Sequence, residues 1–224
     1  MNKPVLRTEP YDVEKIRADF PILAREVYGK PLVYLDNAAS AQKPQAVIDA
    51  VGEAYRNEYS NVHRGMHYLS NAATEKFEAA RETARAFLNA ASTDEIVFAS
   101  GATDAINLVA SSFAEPMIEP GDEIILSVLE HHSNIVPWHF LRERNGAVLK
   151  YVPVTDEGDL DVEAYQNLFT PRTKMVALTS MSNALGTITP IREMIRIAHE
   201  RGVPVLVDAC QGVVHMPTDV QDMD

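Results

Sequence analysis

The feature that most constrains the fold of this chain is a regular alternation of short apolar runs and helical patterns, which begins near residue 95. Polar residues follow each run, and amphipathic segments fill most of the gaps. Such alternation predicts an α/β fold with a largely parallel sheet and helices on both faces, because right-handed crossovers carry the helices to the faces. The predicted strands are 95–99, 123–128, 147–152, 175–180 and 204–208.

In the amino-terminal part of the chain, the sequence pattern predicts three helices. Asp12 can cap a short helix through residue 20, and Pro44 can open a helix that runs to about residue 59. From Ser70 to Phe87 apolar residues recur at helical spacing. We predict an arm with a short helix over residues 1–30 and a large domain over 31–224. The further predicted helices are 103–114, 134–144, 161–169 and 190–201.

Composition and charge exclude several classes of protein. The chain has 20 basic and 32 acidic side chains, a formal net charge of −12 and no basic stripe, which argues against nucleic acid as a partner. Its single cysteine, Cys210, excludes an internal disulfide framework and suits a reducing compartment. No apolar stretch approaches the roughly 20 residues of a membrane span, and the start lacks a secretion signal. We predict a cytoplasmic chain with no membrane partner.

Polar residues follow four of the five predicted strands at the point where each strand ends. The carboxyl ends of parallel strands share one edge of the sheet, and open α/β folds bind ligands at that edge. The sequence therefore predicts one ligand-binding cleft. It is built from residues 100–103, 130–134, 182–183, and Asp208 with the nearby Gln211.

Two of these segments indicate the chemistry of the ligand. Residues 100–103 (SGAT) lead into a helix, where free amides and the Thr103 hydroxyl suit a phosphate, with an ordinary capping turn as the alternative. Asp208 ends an apolar strand and needs a cation or several hydrogen bonds to stay ionised. A pyridinium nitrogen would serve, and a capped turn is the alternative. Gln211 can donate an amide N–H to a ring oxygen, or can be a surface residue.

The histidines favour a flat cofactor over a metal ion. His131 and His132 are adjacent, and adjacent rings seldom face one ion. His63 and His67 have the spacing of a zinc helix, but Arg64 stands where a metalloprotease has its glutamate. We therefore predict no metal site and an imidazole that stacks on a ring. The predicted cleft thus offers a phosphate-binding turn, a ring that can stack, an amide side chain and a carboxylate. This combination fits pyridoxal 5′-phosphate. A nicotinamide cofactor fits less well, since no G-x-G-x-x-G follows a strand.

Seven segments carry a resemblance to a known family: DFPIL (19–23), YLDNAASAQKP (34–44), NVHRGMHYLSNAAT (61–74), SGATDAINLVA (100–110), EHHSNIVPWH (130–139), SNALGT (182–187) and VDACQGVVHMPTDV (207–220). Together they resemble the Suf-type cysteine desulfurases and their selenocysteine lyase relatives. These are pyridoxal-phosphate enzymes of fold type I in the class V aminotransferase superfamily. The resemblance spans nearly the whole chain, and several segments in order are far more specific than one motif.

The resemblance implies a role for each residue of the predicted cleft. Thr103 binds the phosphate with the amides of Gly101 and Ala102. His131 stacks on the pyridine ring and carries protons, and Asp208 pairs with the ring nitrogen. Two residues, Asn183 and Gln211, contact the ring oxygen or the substrate region. Four more resemble substrate-side or dimer-interface elements: Ala38, Ala39, His63 and Arg64.

The activity implied by the resemblance is that of a homodimeric L-cysteine desulfurase. It converts L-cysteine to L-alanine and passes the sulfur, as an enzyme persulfide, to a Suf-type acceptor protein for iron–sulfur cluster assembly. Three alternatives stay open. They are a selenocysteine lyase, another class V lyase or aminotransferase, and a catalytically incompetent fragment of the desulfurase.

The chain departs from the family pattern at its carboxyl end. The family's Schiff-base lysine lies in a turn one strand beyond the region of Asp208, and its sulfur-accepting cysteine lies in a smaller C-terminal domain. Neither feature is found in these 224 residues. We therefore expect a large domain that is incomplete at its C-terminal end. Cys210 lies between Asp208 and Gln211, a different place from the family's persulfide cysteine, and is predicted to be a small packed residue.

Overall fold

The computed structural model describes residues 11–224, and the predictions for residues 1–10 lie outside this range. The described chain falls into two compact units, one ending at Ala80 and one running from Arg81 to Asp224. This boundary differs from the division predicted after residue 30, which stays a prediction. In the part of the chain that the structure describes, no helix is both long enough and apolar enough to span a bilayer.

The first unit is mainly helical. Asp12 caps its first helix as predicted, since its Oδ1 accepts a hydrogen bond from the backbone N of Lys15 at 3.0 Å. The long helix predicted from apolar spacing between Ser70 and Phe87 is confirmed. The elements are α1 (Val13–Ala18), β1 (Glu26–Val27) and β2 (Lys30–Pro31) in a short antiparallel ladder, α2 (Gln45–Glu53), and α3 (Tyr68–Leu88), which continues into the second unit.

A parallel sheet lies at the centre of the second unit and has four strands: β3 (Glu123–Ser127), β4 (Val148–Val152), β5 (Thr173–Thr179) and β6 (Val205–Asp208). The spatial order of the strands in this sheet is β4-β3-β5-β6. All of its ladders are parallel, which confirms the predicted sheet. In these registers Leu126 lies beside Ala177, and Thr179 lies beside Asp208. The carboxyl edge therefore collects the residues that follow three neighbouring strands.

Helices cover both faces of this sheet, as the alternating pattern predicted. Successive side chains of a strand point to opposite faces, so Ile125 packs in one apolar cluster with Tyr165, and Leu126 packs in another with Trp138. The helices of this unit are α4 (Ala102–Val109), α5 (Val136–Asn145), α6 (Val162–Leu168), α7 (Ile191–His199), α8 (Gly212–His215) and α9 (Val220–Met223). The first cluster includes residues of α6 and α7, and the second includes residues of α4 and α5.

The prediction of a strand over residues 95–99 is wrong. Thr93–Glu95 form a 3-10 turn, and residues 96–99 have no regular structure. Among the described residues no strand pairs with this run, and an isolated extended segment gains no ladder hydrogen bonds. Arg81 holds the run instead: its guanidinium carbon lies 5.0 Å from the centre of the Phe98 ring, and its Nη1 donates to the Ile96 carbonyl.

Candidate functional site

Asp208 ends β6 and is buried, with 6% of its surface exposed. The backbone N of Ser180 donates to the Asp208 carbonyl oxygen at 2.9 Å, which ties the ends of β5 and β6 together. In the side chain, Oδ1 accepts a hydrogen bond from the backbone N of Cys210 at 3.0 Å. The capped turn that the sequence left open as an alternative is therefore present. A buried carboxylate with this partner can still attract a cation.

Cys210 is exposed, so the prediction of a packed cysteine is wrong. Its position directly after the Asp208 turn places it at the rim of the sheet and outside both apolar clusters. Partial burial of the sulfur, together with the charge of Asp208, raises the pKa of the Cys210 thiol to about 11. A thiol with this pKa is almost wholly protonated at neutral pH and is a poor nucleophile.

His131 lies just beyond β3 and begins the 3-10 turn His132–Asn134. Its Nδ1 accepts a hydrogen bond from the backbone N of Ser133 at 3.2 Å and lies 2.7 Å from the Ser133 hydroxyl oxygen. Since Nδ1 accepts, the neutral ring carries its proton on Nε2. The residue is exposed, and Nε2 can therefore exchange a proton without breaking the turn.

Glu130 lies in segment 130–134 of the predicted cleft, but the sequence indicated no role for it. The residue is buried, with 8% of its surface exposed, and its carboxylate accepts hydrogen bonds from Ser127, Asn134 and the backbone of Thr179. Burial raises the pKa of Glu130, the three donors offset part of that rise, and the nearby Asp208 charge adds to it. The signal that points to Glu130 is an acidic residue placed soon after β3, a strand whose residues are all buried.

Residues 101–103 form the amino end of α4. Gly101 has a φ of 155°, a conformation that favours glycine, and a Cβ built there meets no atom within 4 Å, so the space at Gly101 is open. Asp104 occupies part of the turn, since its Oδ2 accepts from the backbone N of Ser100 at 3.1 Å. Gly101 and Thr103 are exposed, and Ala102 is half-buried. An open helix end of this kind can hold an anion.

Helix α4 packs against the turn that follows His131, and Glu130 links that turn to β5 beside Asp208. The segments that contain Thr103, His131 and Asp208 thus lie along one connected stretch of the second unit. Gln211 precedes α8 and is half-buried, close in sequence to Asp208. Asn183 is exposed, in a turn where Ser182 Oγ accepts from the backbone N atoms of Ala184 and Leu185, each at 3.2 Å.

The four predicted residues of the first unit lie in turns. Ala38 and Ala39 are exposed, and the backbone N of Ala39 donates to the Asp36 carbonyl at 3.2 Å. His63 has a φ of 59°, and its Nε2 lies 3.0 Å from Glu78 Oε1. Arg64 is exposed.

The spacing of His63 and His67 does not place them on one helix, because residues 62–64 form a turn. His67 Nδ1 instead accepts from the backbone N of Ser70 at 3.3 Å. Over residues 11–224, no three His, Cys, Asp or Glu side chains cluster closely enough to hold a metal ion.

Residues 33–224, most of the chain, match the family described as aminotransferase class-V. The chain belongs to this family. Relatives of this class-V chain include the cysteine desulfurase of Escherichia coli at 53% identity and that of Pectobacterium atrosepticum at 51% identity. Each alignment covers 96% of this chain and 53% of the relative. The chain therefore spans about half the length of these curated relatives.

Solved structures of cysteine desulfurases have the same fold as this class-V chain. A crystal structure from Escherichia coli is 40% identical with a TM-score of 0.83, and covers 96% of this chain and 53% of the other. An apo structure from Thermococcus onnurineus is 34% identical with a TM-score of 0.87, and covers 96% and 52%. A protein named SspA, in complex with cysteine, is 27% identical with a TM-score of 0.79, and covers 86% and 55%.

These comparisons identify the kind of fold and cofactor chemistry. Class-V aminotransferases and cysteine desulfurases are pyridoxal-phosphate enzymes. The parallel sheet flanked by helices corresponds to fold type I of that group, as the resemblance implied. The amino end of α4, with open space at Gly101, and the buried Asp208 carboxylate fit the phosphate and the ring nitrogen of such a cofactor.

Proposed function

We propose that this chain is the cofactor-binding part of a Suf-type, pyridoxal-phosphate-dependent L-cysteine desulfurase. The enzyme would convert L-cysteine to L-alanine and transfer the sulfur as a persulfide for iron–sulfur cluster assembly. One observation carries the proposal: a buried carboxylate, Asp208, lies at the carboxyl edge of the sheet beside the strand that anchors the His131 turn. Sequence identity of 53% and 51% to two proteins named cysteine desulfurase supports the proposal.

The main predicted site residues of the second unit each have a proposed role. Residues 101–103 would bind the phosphate through their N–H groups and the Thr103 hydroxyl. Asp208 would hold a protonated ring nitrogen, and its burial strengthens that attraction. His131 would lie over the ring and move a proton at Nε2. When bound, the cofactor supplies an electron-accepting ring for the negative charge that develops as substrate bonds break.

The other predicted residues keep narrower proposals. Asn183 and Gln211 would contact the ring oxygen or the substrate. Ala38, Ala39, His63 and Arg64 stay predictions for substrate binding or a dimer interface.

We also propose the partners implied by the resemblance. L-Cysteine is the proposed substrate, and the neighbouring SspA structure in complex with cysteine supports it. A second copy of the chain and a Suf-type sulfur acceptor are the proposed protein partners, and the cytoplasm is the proposed location. Cys210 is not the proposed sulfur nucleophile, because its raised pKa keeps the thiol protonated.

The substitution Asp208→Asn tests the proposed function, because it keeps the shape of the side chain and removes the charge. In the full enzyme that contains this part, loaded with pyridoxal phosphate, we expect alanine formation from L-cysteine to fall by about 100-fold or more. We also expect faster loss of the cofactor on dialysis. The matched control is Asp222→Asn, since Asp222 is exposed and pairs with Arg192 at 2.7 Å.

Two outcomes would contradict this proposal at different levels. Unchanged turnover in Asp208→Asn would overturn the role assigned to that carboxylate. A full wild-type enzyme that retains the cofactor but releases no alanine from L-cysteine would overturn the desulfurase assignment. Turnover of L-selenocysteine alone would instead support the lyase alternative.

A further inference from the structure

Glu130 lies at the centre of a buried hydrogen-bond network that joins two strands to the His131 turn. Its Oε1 accepts from the Ser127 hydroxyl at 2.5 Å and from the Thr179 backbone N at 2.9 Å. Its Oε2 accepts from Asn134 Nδ2 at 2.7 Å. The carboxylate thus contacts the last residue of β3, the last residue of β5 and the last residue of the turn.

The direction of the hydrogen bonds in this network is set by Trp138. Its indole Nε1 donates to Asn134 Oδ1 at 3.1 Å, and an indole nitrogen can only donate. The Asn134 amide is therefore oriented with its oxygen toward Trp138 and its NH2 toward residue 130. Both side chains are fully buried, so water cannot replace either partner. Position 130 consequently requires an acceptor at that atom.

The network fixes both ends of the turn that carries His131. Residue 130 precedes His131 directly, and Asn134 is the last residue of the 3-10 turn. Thr179, which donates to Glu130, lies beside Asp208 in the β5–β6 ladder. One carboxylate therefore sets the position of the His131 turn relative to the strand ends near Asp208.

We propose that Glu130 is a positioning residue for the cofactor site. It holds the His131 turn against β5 by accepting hydrogen bonds from Asn134 and from the backbone of Thr179. The inference rests on the proposed function only in naming the cofactor. Glu130 does not touch the reacting atoms in this proposal. It acts through His131, and its effect depends on acceptor geometry at position 130 and not on the charge there.

An exchange of hydrogen-bonding groups between two positions tests the proposal with isosteric changes. Glu130→Gln places an NH2 group against the Asn134 NH2 or, with the amide rotated, against the Thr179 backbone N–H. Asn134→Asp places two carboxyl groups together. Each single change therefore breaks the network. The double variant E130Q/N134D restores it, because the new amide at 130 donates to the new carboxylate at 134, which also accepts from Trp138. Shape and net charge stay constant in the double variant.

The proposal has two readouts, the NMR signals of the His131 ring and the dissociation constant of pyridoxal phosphate measured by equilibrium dialysis. His131→Gln assigns the His131 signals, and Glu143→Gln, on the exposed side of α5, is the control. We expect each single variant to shift the His131 signals and weaken cofactor binding by about 10-fold or more. We expect the double variant to return both readouts to within about 3-fold of wild type.

Each outcome decides the proposal. Single variants that are less stable but keep wild-type His131 signals and affinity would show a merely structural role and overturn it. A double variant that stays impaired would also overturn it, because charge at position 130 would then matter. Should the single variants not fold, a folded double variant with wild-type His131 signals supports the proposal, and an unfolded one overturns it. Wild-type protein that binds no cofactor contradicts the proposed function, while the NMR comparison still tests Glu130.

Discussion

Cys210 lies beside the proposed cofactor site, but its raised pKa makes it a poor nucleophile. The residue is exposed, and it lies two positions after Asp208 in the turn that the Asp208 carboxylate caps. The same carboxylate and the partial burial of the sulfur raise the pKa of the thiol to about 11. Exposure alone therefore does not make this cysteine a sulfur acceptor, because the thiolate is the nucleophile.

We predict slow alkylation of Cys210 in the folded chain. At pH 8 a thiol with a pKa of about 11 is ionised roughly 100-fold less than an ordinary cysteine, so iodoacetamide should react about 100-fold more slowly than with the chain unfolded in urea. Mass spectrometry over a series of pH values measures the rate. Asp208→Asn should speed the reaction by removing the neighbouring charge. Equal rates in folded and unfolded chains would contradict the prediction.

A polar cluster around Glu123 connects strands at the amino edge of the sheet, which is the edge opposite the candidate site. Glu123 begins β3, its Oε1 pairs with Lys150 of β4 at 2.8 Å, and its Oε2 accepts from the hydroxyls of Thr170 and Thr173 at 2.7 and 3.0 Å. Burial raises the pKa of Glu123, but these hydrogen bonds outweigh it and leave the pKa below its usual value. The cluster helps to set the register of three strands.

We predict that Glu123→Gln lowers the free energy of unfolding by about 1–3 kcal/mol at neutral pH, because it leaves Lys150 partly buried without its counter-charge. Since the folded-state pKa of Glu123 is lowered, its stabilisation is present above the usual carboxyl pKa and is lost as the pH falls through the lowered value. Urea unfolding of both proteins, at neutral pH and in acid, measures the difference. Glu143→Gln is the exposed control. A difference that grows in acid would contradict this explanation.

At the scale of the whole molecule, apolar surface is left exposed in the second unit. Val97 is 70% exposed, in a run with no strand partner among the described residues, and β6 pairs on one side only within the described sheet. Unpaired edges and exposed apolar runs favour association with another chain. The proposed homodimer is compatible with this exposure.

We predict that the 224-residue chain associates in a concentration-dependent way, through the run at residues 96–99. Val97→Lys should lower the average mass measured by light scattering, because a charge interrupts the apolar run. Val214→Lys is the matched control, since Val214 is 74% exposed but lies in helix α8. The prediction fails if Val97→Lys leaves the mass unchanged, or if the control lowers it equally.

The sequence by itself determined the parallel sheet, the helices on both faces and the family. Each follows from local patterns: alternation of apolar runs and helices, as at 123–128 and 190–201, and polar motifs at strand ends such as EHHSN. Four of the five predicted strands are confirmed on this basis. The site residues themselves stay predictions, although several of their segments lie along one edge of the second unit.

Only the tertiary structure decided three other features. Residues 95–99 have the composition of a strand, but a strand needs a neighbour, and pairing is not encoded in the run itself. The exposure of Cys210 depends on how the Asp208 turn lies at the sheet's rim. The network of Glu130 depends on Thr179, which is 49 residues away. Hydrophobic periodicity is a local property of the chain, whereas the partner of a buried polar group is known only once distant strands have packed together.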